Sequence, residues 1–321
     1  MSEKPAVLVT RKLPQAVEAR LQRDYAPRLN EQDRIYSGDE LVELASGAVA
    51  IIPCHTEKLT AEVIQQLPES VKAICSYSVG YDHINLEAAK ARGIIVTNTP
   101  EVLSDATAEI AMLLMLGAAR RAHEGEQQIR NASWSDWSAT YQLGIQVTGK
   151  RLGILGMGRV GQIMARRARG FDMEIHYYNR SRLPADLEVG AVYHDSVEAL
   201  LPHCDFLSIH CPATPDTYHL INAERIEMLP NDAVVVNTAR GAVVDDEALI
   251  AALKSGKLFA AGLDVFNDEP AIHPEYKTLP NTFLLPHIGS ASRETRDAMG
   301  FRALDNLDAI VAGKAPRDRL V

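Results

Sequence analysis

The sequence lacks the features that mark several large classes of protein. It holds only four cysteines in 321 residues, Cys54, Cys75, Cys204 and Cys211, and none forms a C-x-x-C pair. A chain of this length can build a core without covalent staples, so a disulfide scaffold is excluded and a reduced, cytoplasmic setting is expected. Cys204, His210 and Cys211 lie close together, but they read as strand and loop residues, and no metal is expected. Basic residues are in the minority, 33 Lys and Arg against 42 Asp and Glu for a net charge of −9. That balance argues against a nucleic-acid partner, which would call for a basic face. No run of about 18 apolar residues occurs, so no membrane partner is expected. The N-terminal MSEKPAVLVT enters an apolar strand directly and shows no signal-peptide pattern. Repeats, low-complexity tracts and a linker rich in glycine and serine are all missing. Domain boundaries are therefore expected at helices, near Pro100 and again near Gly289.

What is present is a packed α/β chain. Hydrophobic residues make up 46% and charged residues 23%, and the length is comfortable for two domains. Short apolar runs at Ala6–Thr10, Ala48–Pro53, Lys72–Tyr77 and Ile94–Asn98 alternate with helical patterns at Pro14–Arg23, Thr60–Leu67 and Leu86–Arg92. This alternation predicts a parallel sheet. A helical pattern then runs from Ser104 to about His123, with a second helix over Ala122–Asn131. The following SWSDWSATYQLGIQVTGK reads as an irregular loop or interface arm.

The chain is organised around RLGILGMGRVGQIMARRAR, Arg151 to Arg169. A buried-strand pattern, Leu152–Leu155, runs into Gly156, Gly158 and Gly161 in the order G-x-G-x-x-G, and a helix follows. In a dinucleotide site the first glycine permits the turn, the second lets a pyrophosphate approach the backbone, and the third lets helix and strand pack. The helix N-terminus then faces the phosphates. The next strand, Glu174–Asn179, ends in Asn179-Arg180-Ser181-Arg182. NAD-specific sites place a carboxylate here for the ribose 2′-hydroxyl. No acid stands at this tip, and a guanidinium suits a 2′-phosphate, so NADPH/NADP is the expected cofactor, with NADH weaker.

Further strands are read at Phe206–His210, Ala233–Thr238, Gly262–Phe266 and Phe283–Pro286, and a last helix over Ser292–Val311. Ligands gather at the carboxyl ends of such strands. Those ends supply His210-Cys211-Pro212, Thr238-Ala239-Arg240-Gly241, Asp264 with Glu269, and His287-Ile288-Gly289. An arginine, a carboxylate and a histidine are the residue types that reduction of a 2-oxo acid needs. Arg240 can hold the substrate in a fork, His287 can donate a proton to the carbonyl oxygen, and Glu269 can orient the histidine and favour its protonated form. Read singly, each could be an ordinary surface, turn or helix-entry residue.

Five blocks, SVGYDHIN, GMGRVG, NTARGAVVDDEAL, GLDVFNDEP and LLPHIGSAS, resemble the signatures of the D-isomer-specific 2-hydroxyacid dehydrogenase family, in the family's order and approximate spacing. The resemblance implies an α/β fold of two domains, a Rossmann doubly wound sheet over 101–289 and a smaller, discontinuous flavodoxin-like substrate domain over 1–100 and 290–321. It implies Arg240, Glu269 and His287 as catalytic residues. Val79 and Gly80 would offer backbone N–H groups to the substrate carboxylate. Arg159 and Val160 would lie over the pyrophosphate, Asp264 would hold the nicotinamide carboxamide, and Thr107, Cys211, Pro212, Thr217, Ala239 and Gly289 would line the cofactor. A homodimer is implied, with Trp137 reaching the partner's active site. Within the family the sequence looks most like the NADPH-dependent glyoxylate/hydroxypyruvate/2-ketogluconate reductases. A broader D-lactate-like dehydrogenase and a nucleotide-sensing co-repressor of the same fold remain as alternatives.

Overall fold

The computed structural model describes residues 4–321. The chain divides into two compact units, one running up to Leu103 and taking in Ser290–Val321, the other spanning Ser104–Gly289. Each is an α/β unit with one parallel sheet.

In the first unit, β1 (Ala6–Val9), α1 (Gln15–Asp24), β2 (Ala26–Arg28), α2 (Gly38–Leu44), β3 (Ala50–Ile52), α3 (Ala61–Gln66), β4 (Ala73–Cys75), α4 (Leu86–Ala91) and β5 (Ile95–Thr97) follow in turn. The strand order is β2-β1-β3-β4-β5, the doubly wound 2-1-3-4-5 arrangement. The central strands are short and wholly apolar, as expected of strands covered on both faces. Two elements have no counterpart in the sequence reading. β2 is the three-residue APR with exposed ends, and it exists because β1 offers it a ladder. α2 begins at a glycine but is held by a capping box, in which Ser37 accepts from the Glu40 amide and Glu40 accepts from the Ser37 amide.

The second unit opens with α5 (Ser104–Ala119) and α6 (Ala122–Arg130). The expected helix to His123 stops earlier because Arg121 takes a left-handed conformation, φ 52°, and pairs with Glu124. Residues 131–150 carry no helix or strand, as the irregular reading of this stretch expects. Then come β6 (Arg151–Leu155), α7 (Arg159–Ala168), β7 (Glu174–Tyr178), α8 (Ala185–Glu188), β8 (Val192–His194), α9 (Val197–Leu200), β9 (Phe206–Ile209), α10 (Ala223–Met228), β10 (Ala233–Asn237), α11 (Asp246–Ser255), β11 (Leu258–Leu263) and β12 (Thr282–Leu284). The sheet order is β12-β11-β10-β9-β6-β7-β8, so the winding reverses between β6 and β9. That switch point is where such sheets bind ligands. Val235 faces a core closed by α10 and α11, while Val234 and Val236 face a second core closed by α5 and α7. β11 lies earlier than the expected Gly262–Phe266, because its ladder with β10 ends at Leu263 and leaves Asp264 free to turn inward. β12 likewise stops at Leu284, before Pro286, which has no N–H to donate.

The last helix, α12 (Arg293–Val311), returns to the first unit. It buries Met299, Leu304 and Leu307 against Val17, Leu21 and Cys75. Among the described residues no helix is long and apolar enough to cross a membrane.

Candidate active site

The turn after β6 fits only glycine. Gly156 sits at φ 98°, and a Cβ there would lie 2.6 Å from the Cys211 backbone nitrogen. The turn is thereby pressed against the end of β9 at His210 and Cys211. A Cβ on Gly161 would meet the Gly156 carbonyl oxygen at 2.3 Å, so the third glycine sets how closely α7 approaches. Gly158 differs, since nothing lies within 4 Å of a Cβ built on it, and both it and Arg159 are exposed. α7 starts there with no side-chain cap and no acid in its first turn. Its first amides, from Arg159 and Val160 onward, carry the positive end of the helix dipole. An anionic pyrophosphate fits this cradle, by shape at Gly158 and by charge at the helix N-terminus.

The tip of β7 divides its residues among different tasks. Asn179 Oδ1 accepts from the Met157 amide at 2.9 Å, so this side chain holds the glycine turn. Arg180 and Ser181 are exposed, and among the described residues Arg180 has no ion pair. Arg182 is drawn back into a two-point bond with Glu188 at 2.8 and 3.0 Å.

At the end of β9, His210 Nε2 lies 2.8 Å from Ser208 Oγ and Nδ1 lies 3.3 Å from Thr238 Oγ1. Burial pushes this imidazole down to about 4, so it is neutral near pH 7. Thr217 closes the following loop by donating to the Pro212 carbonyl at 2.7 Å, while its oxygen accepts from the Thr214 amide. Burial raises the Cys211 thiol to about 11, which keeps it protonated.

Arg240 is placed by a residue the sequence reading passed over. Asn237 is buried at the end of β10. Its oxygen accepts from the Ala239 amide at 2.9 Å, and its nitrogen donates to the Arg240 carbonyl at 2.9 Å. The signal was present in NTARG, since Asn at a strand end commonly folds a turn onto its own backbone. Gly241 then allows the chain to touch the next strand end, because a Cβ there would lie 2.0 Å from the Phe266 carbonyl carbon.

That neighbouring segment carries the carboxylate. Glu269 Oε1 accepts from the Phe266 amide at 2.8 Å, and Oε2 accepts from His287 Nδ1 at 2.6 Å. The carboxylate at Nδ1 sets the orientation of the ring. Both side chains are about 30% exposed, 31% for His287 and 28% for Glu269, so the pair is reachable from solvent. His287 sits at φ 54°. Asp264 supports this backbone, with Oδ1 accepting from the Ile288 amide at 2.8 Å and Oδ2 from the Gly289 amide at 2.7 Å. Burial raises the Asp264 carboxyl. Both of its oxygens thus serve the loop that bears His287, a use the sequence did not reveal. Thr107 lies close by, its Cγ2 and Oγ1 each 3.6 Å from a Cβ built on Gly289.

In the first unit, the Ser78 carbonyl accepts from the Thr99 amide at 2.9 Å and the Val79 carbonyl accepts from Asn98 Nδ2 at 2.8 Å. Across planar trans peptides the N–H groups of Val79 and Gly80 then point the opposite way. Tyr77 is buried and donates to the Arg296 carbonyl at 2.5 Å, so it braces α12. Trp137 is 90% exposed on the irregular arm.

Comparison with known proteins defines the class. The family model for the D-isomer specific 2-hydroxyacid dehydrogenase NAD binding domain matches residues 112–289. The chain is 46% identical to a glycerate dehydrogenase of Hyphomicrobium methylovorum, over 97% of each chain. It is 42% identical to a glyoxylate reductase of Thermococcus litoralis, covering 98% of this chain and 96% of the relative. An NADPH-dependent glyoxylate/hydroxypyruvate reductase of Sinorhizobium meliloti, solved with NADP and malonate, superposes with a TM-score of 0.87 at 30% identity, covering 99% and 97% of the two chains. The chain belongs to the D-isomer specific 2-hydroxyacid dehydrogenase family. It is an oxidoreductase, and its cofactor is a nicotinamide dinucleotide.

Proposed function

We propose that the protein reduces a small 2-oxo acid (glyoxylate, hydroxypyruvate or 2-ketogluconate) to the D-2-hydroxy acid, with NADPH as the preferred reductant. The observation that supports this reading is the 2.6 Å bond from His287 Nδ1 to Glu269, an imidazole–carboxylate pair suited to general acid–base work. The nicotinamide, when bound, supplies the hydride to the carbonyl carbon. His287 delivers the proton to the carbonyl oxygen, and Glu269 orients the ring through Nδ1. Arg240 holds the substrate by its carboxylate or carbonyl in a fork. The outward amides of Val79 and Gly80 are offered to a carboxylate. Thr107, Asp264 and Gly289 serve the nicotinamide end of the cofactor, and Cys211, Pro212, Thr217, Thr238 and Ala239 line its length. Preference for NADPH rests on the exposed Arg180 and the absence of an acid from Asn179–Arg182. The NADP bound to the Sinorhizobium relative supports it.

We further infer a homodimer that uses α6 and the arm. α6 buries none of its residues within the chain, and Ile129, Trp134, Trp137 and Leu143 are 57–90% exposed. Four free thiols fit a cytoplasmic setting. The test of the activity is a steady-state panel of glyoxylate, hydroxypyruvate, pyruvate and 2-ketogluconate with each cofactor. Highest kcat/KM with NADPH and one of the three named acids is expected, and no oxidation of either cofactor with any acid would overturn the reading.

A further inference from the structure

The tip of β7 lacks an acid in sequence, yet a carboxylate stands behind it in space. Glu188 ends α8 and is 7% exposed. Its Oε1 accepts from the Tyr177 hydroxyl at 2.5 Å and from Arg182 Nε at 2.8 Å, and its Oε2 accepts from Arg182 Nη2 at 3.0 Å. These bonds, that of Arg182 foremost, hold the carboxyl down to about 2, so it is ionised at every working pH. The Tyr177 hydroxyl, itself fully buried, also accepts from the Leu183 amide at 3.1 Å. The loop after β7 is thus folded back onto the Tyr177–Glu188 pair. Arg169 Nη2 holds the far side through the Glu188 carbonyl at 3.0 Å.

Two arginines follow the strand, then, and they are not equivalent. Arg180 is exposed and, among the described residues, has no ion pair, whereas Arg182 has its fork spent on Glu188. We propose that Arg182 acts in cofactor selection as a positioning and masking residue: it neutralises Glu188, a resident acid that would otherwise oppose a 2′-phosphate, and leaves the phosphate contact to Arg180. This rests on the NADPH reading above and deepens it. Without Arg182 the chain would place an uncompensated carboxylate behind the tip, the charge that favours an unphosphorylated ribose. Across several ångströms of partly solvated protein, one unpaired charge is expected to change affinity by ~3- to 10-fold, less in high salt.

The experiment measures Kd for NADPH and NADH by fluorescence titration at low and high salt, in wild type, Arg182→Ala, Glu188→Gln, Arg182→Ala/Glu188→Gln and Arg180→Ala. Arg182→Ala should weaken NADPH ~3- to 10-fold, with NADH within about twofold and the loss shrinking as salt rises. The double variant, which removes acid and base together, should return NADPH to within about twofold of wild type. Glu188→Gln alone should bind NADPH at least as tightly as wild type, whereas a merely structural clamp would lose both cofactors. A double variant as weak for NADPH as Arg182→Ala would show that Arg182 touches the phosphate itself and would overturn masking. So would an Arg182→Ala that binds NADPH normally. A wild type that prefers NADH, with Arg180→Ala changing neither cofactor, would instead remove the NADPH reading and masking with it.

Discussion

Arg180 and Arg240 carry one positive charge each, but their surroundings ask different things of them. Arg180 stands exposed at the β7 tip, so its contact with a 2′-phosphate would be charge-assisted and partly solvated. Such a contact contributes about 1.5–3 kcal/mol, roughly ten- to a hundredfold in affinity. Arg180→Ala should weaken NADPH by that order and leave NADH nearly unchanged in equilibrium titrations. Equal loss of both cofactors would show that Arg180 does not read the phosphate. Arg240 is held by Asn237 at a strand end pressed against Phe266, so its direction matters as much as its charge. Arg240→Lys keeps the charge and loses the planar fork. A fall in kcat/KM on the order of a hundredfold is expected, with NADPH binding intact, since misplacing a substrate by about 1 Å costs that much. Near-native efficiency would take Arg240 out of the site.

The elements that carry these residues were legible to unequal degrees. The glycine turn, the presence of these strands and α12 could be read because backbone demands at Gly156 and the apolar runs leave local traces, while the bounds of β11 and β12 shifted. β2 and α2 could not, because a three-residue edge strand depends on β1 for its ladder and α2 on its capping box for its start. In the same way, Arg240, Glu269 and His287 were visible as residue types at strand ends. Asn237, Asp264 and Glu188 became functional only through partners 2 to 25 residues away. One feature at element scale left no trace in sequence. His176 of β7, His194 of β8 and His203 stack with ring centroids 4.9–5.2 Å apart, and His176 Nδ1 lies 3.0 Å from His194 Nε2. Glu174 and Asp195 are the acids beside them, but burial, followed by His203, lowers His194, and burial outweighs Glu174 at His176. With His210 at about 4, three imidazoles take up protons less readily folded than unfolded, where the ordinary value is near 6.5. The unfolded chain binds the extra protons, so their contribution is intact above about pH 6.5 and is lost as pH falls toward 4. Thermal midpoints of the apoprotein should therefore drop between pH 6.5 and 4.5, and His194→Gln should flatten part of that drop. A midpoint constant across this range would contradict the lowered values.

The whole molecule is a two-unit chain that uses a nicotinamide cofactor. The arm residues Trp134 and Trp137 leave large apolar surface uncovered within one chain, so sedimentation should give twice the 35.2 kDa chain mass. Replacing Ile129, Trp134 and Leu143 together by polar residues should shift it toward one chain. A wild-type monomer at micromolar concentration would refute the dimer. The central claim, however, is chemical: the Glu269–His287 pair supplies the proton when hydride reaches a 2-oxo acid. The most direct measurement is a single-turnover stopped-flow experiment on the NADPH complex mixed with hydroxypyruvate, in wild type, His287→Ala and Glu269→Gln, with NADPH Kd measured alongside. His287→Ala is expected to slow the loss of NADPH absorbance by roughly a hundred- to ten-thousandfold at unchanged NADPH affinity, with Glu269→Gln intermediate and the wild-type product D-glycerate. A His287→Ala enzyme that oxidises NADPH at close to the wild-type rate would contradict it.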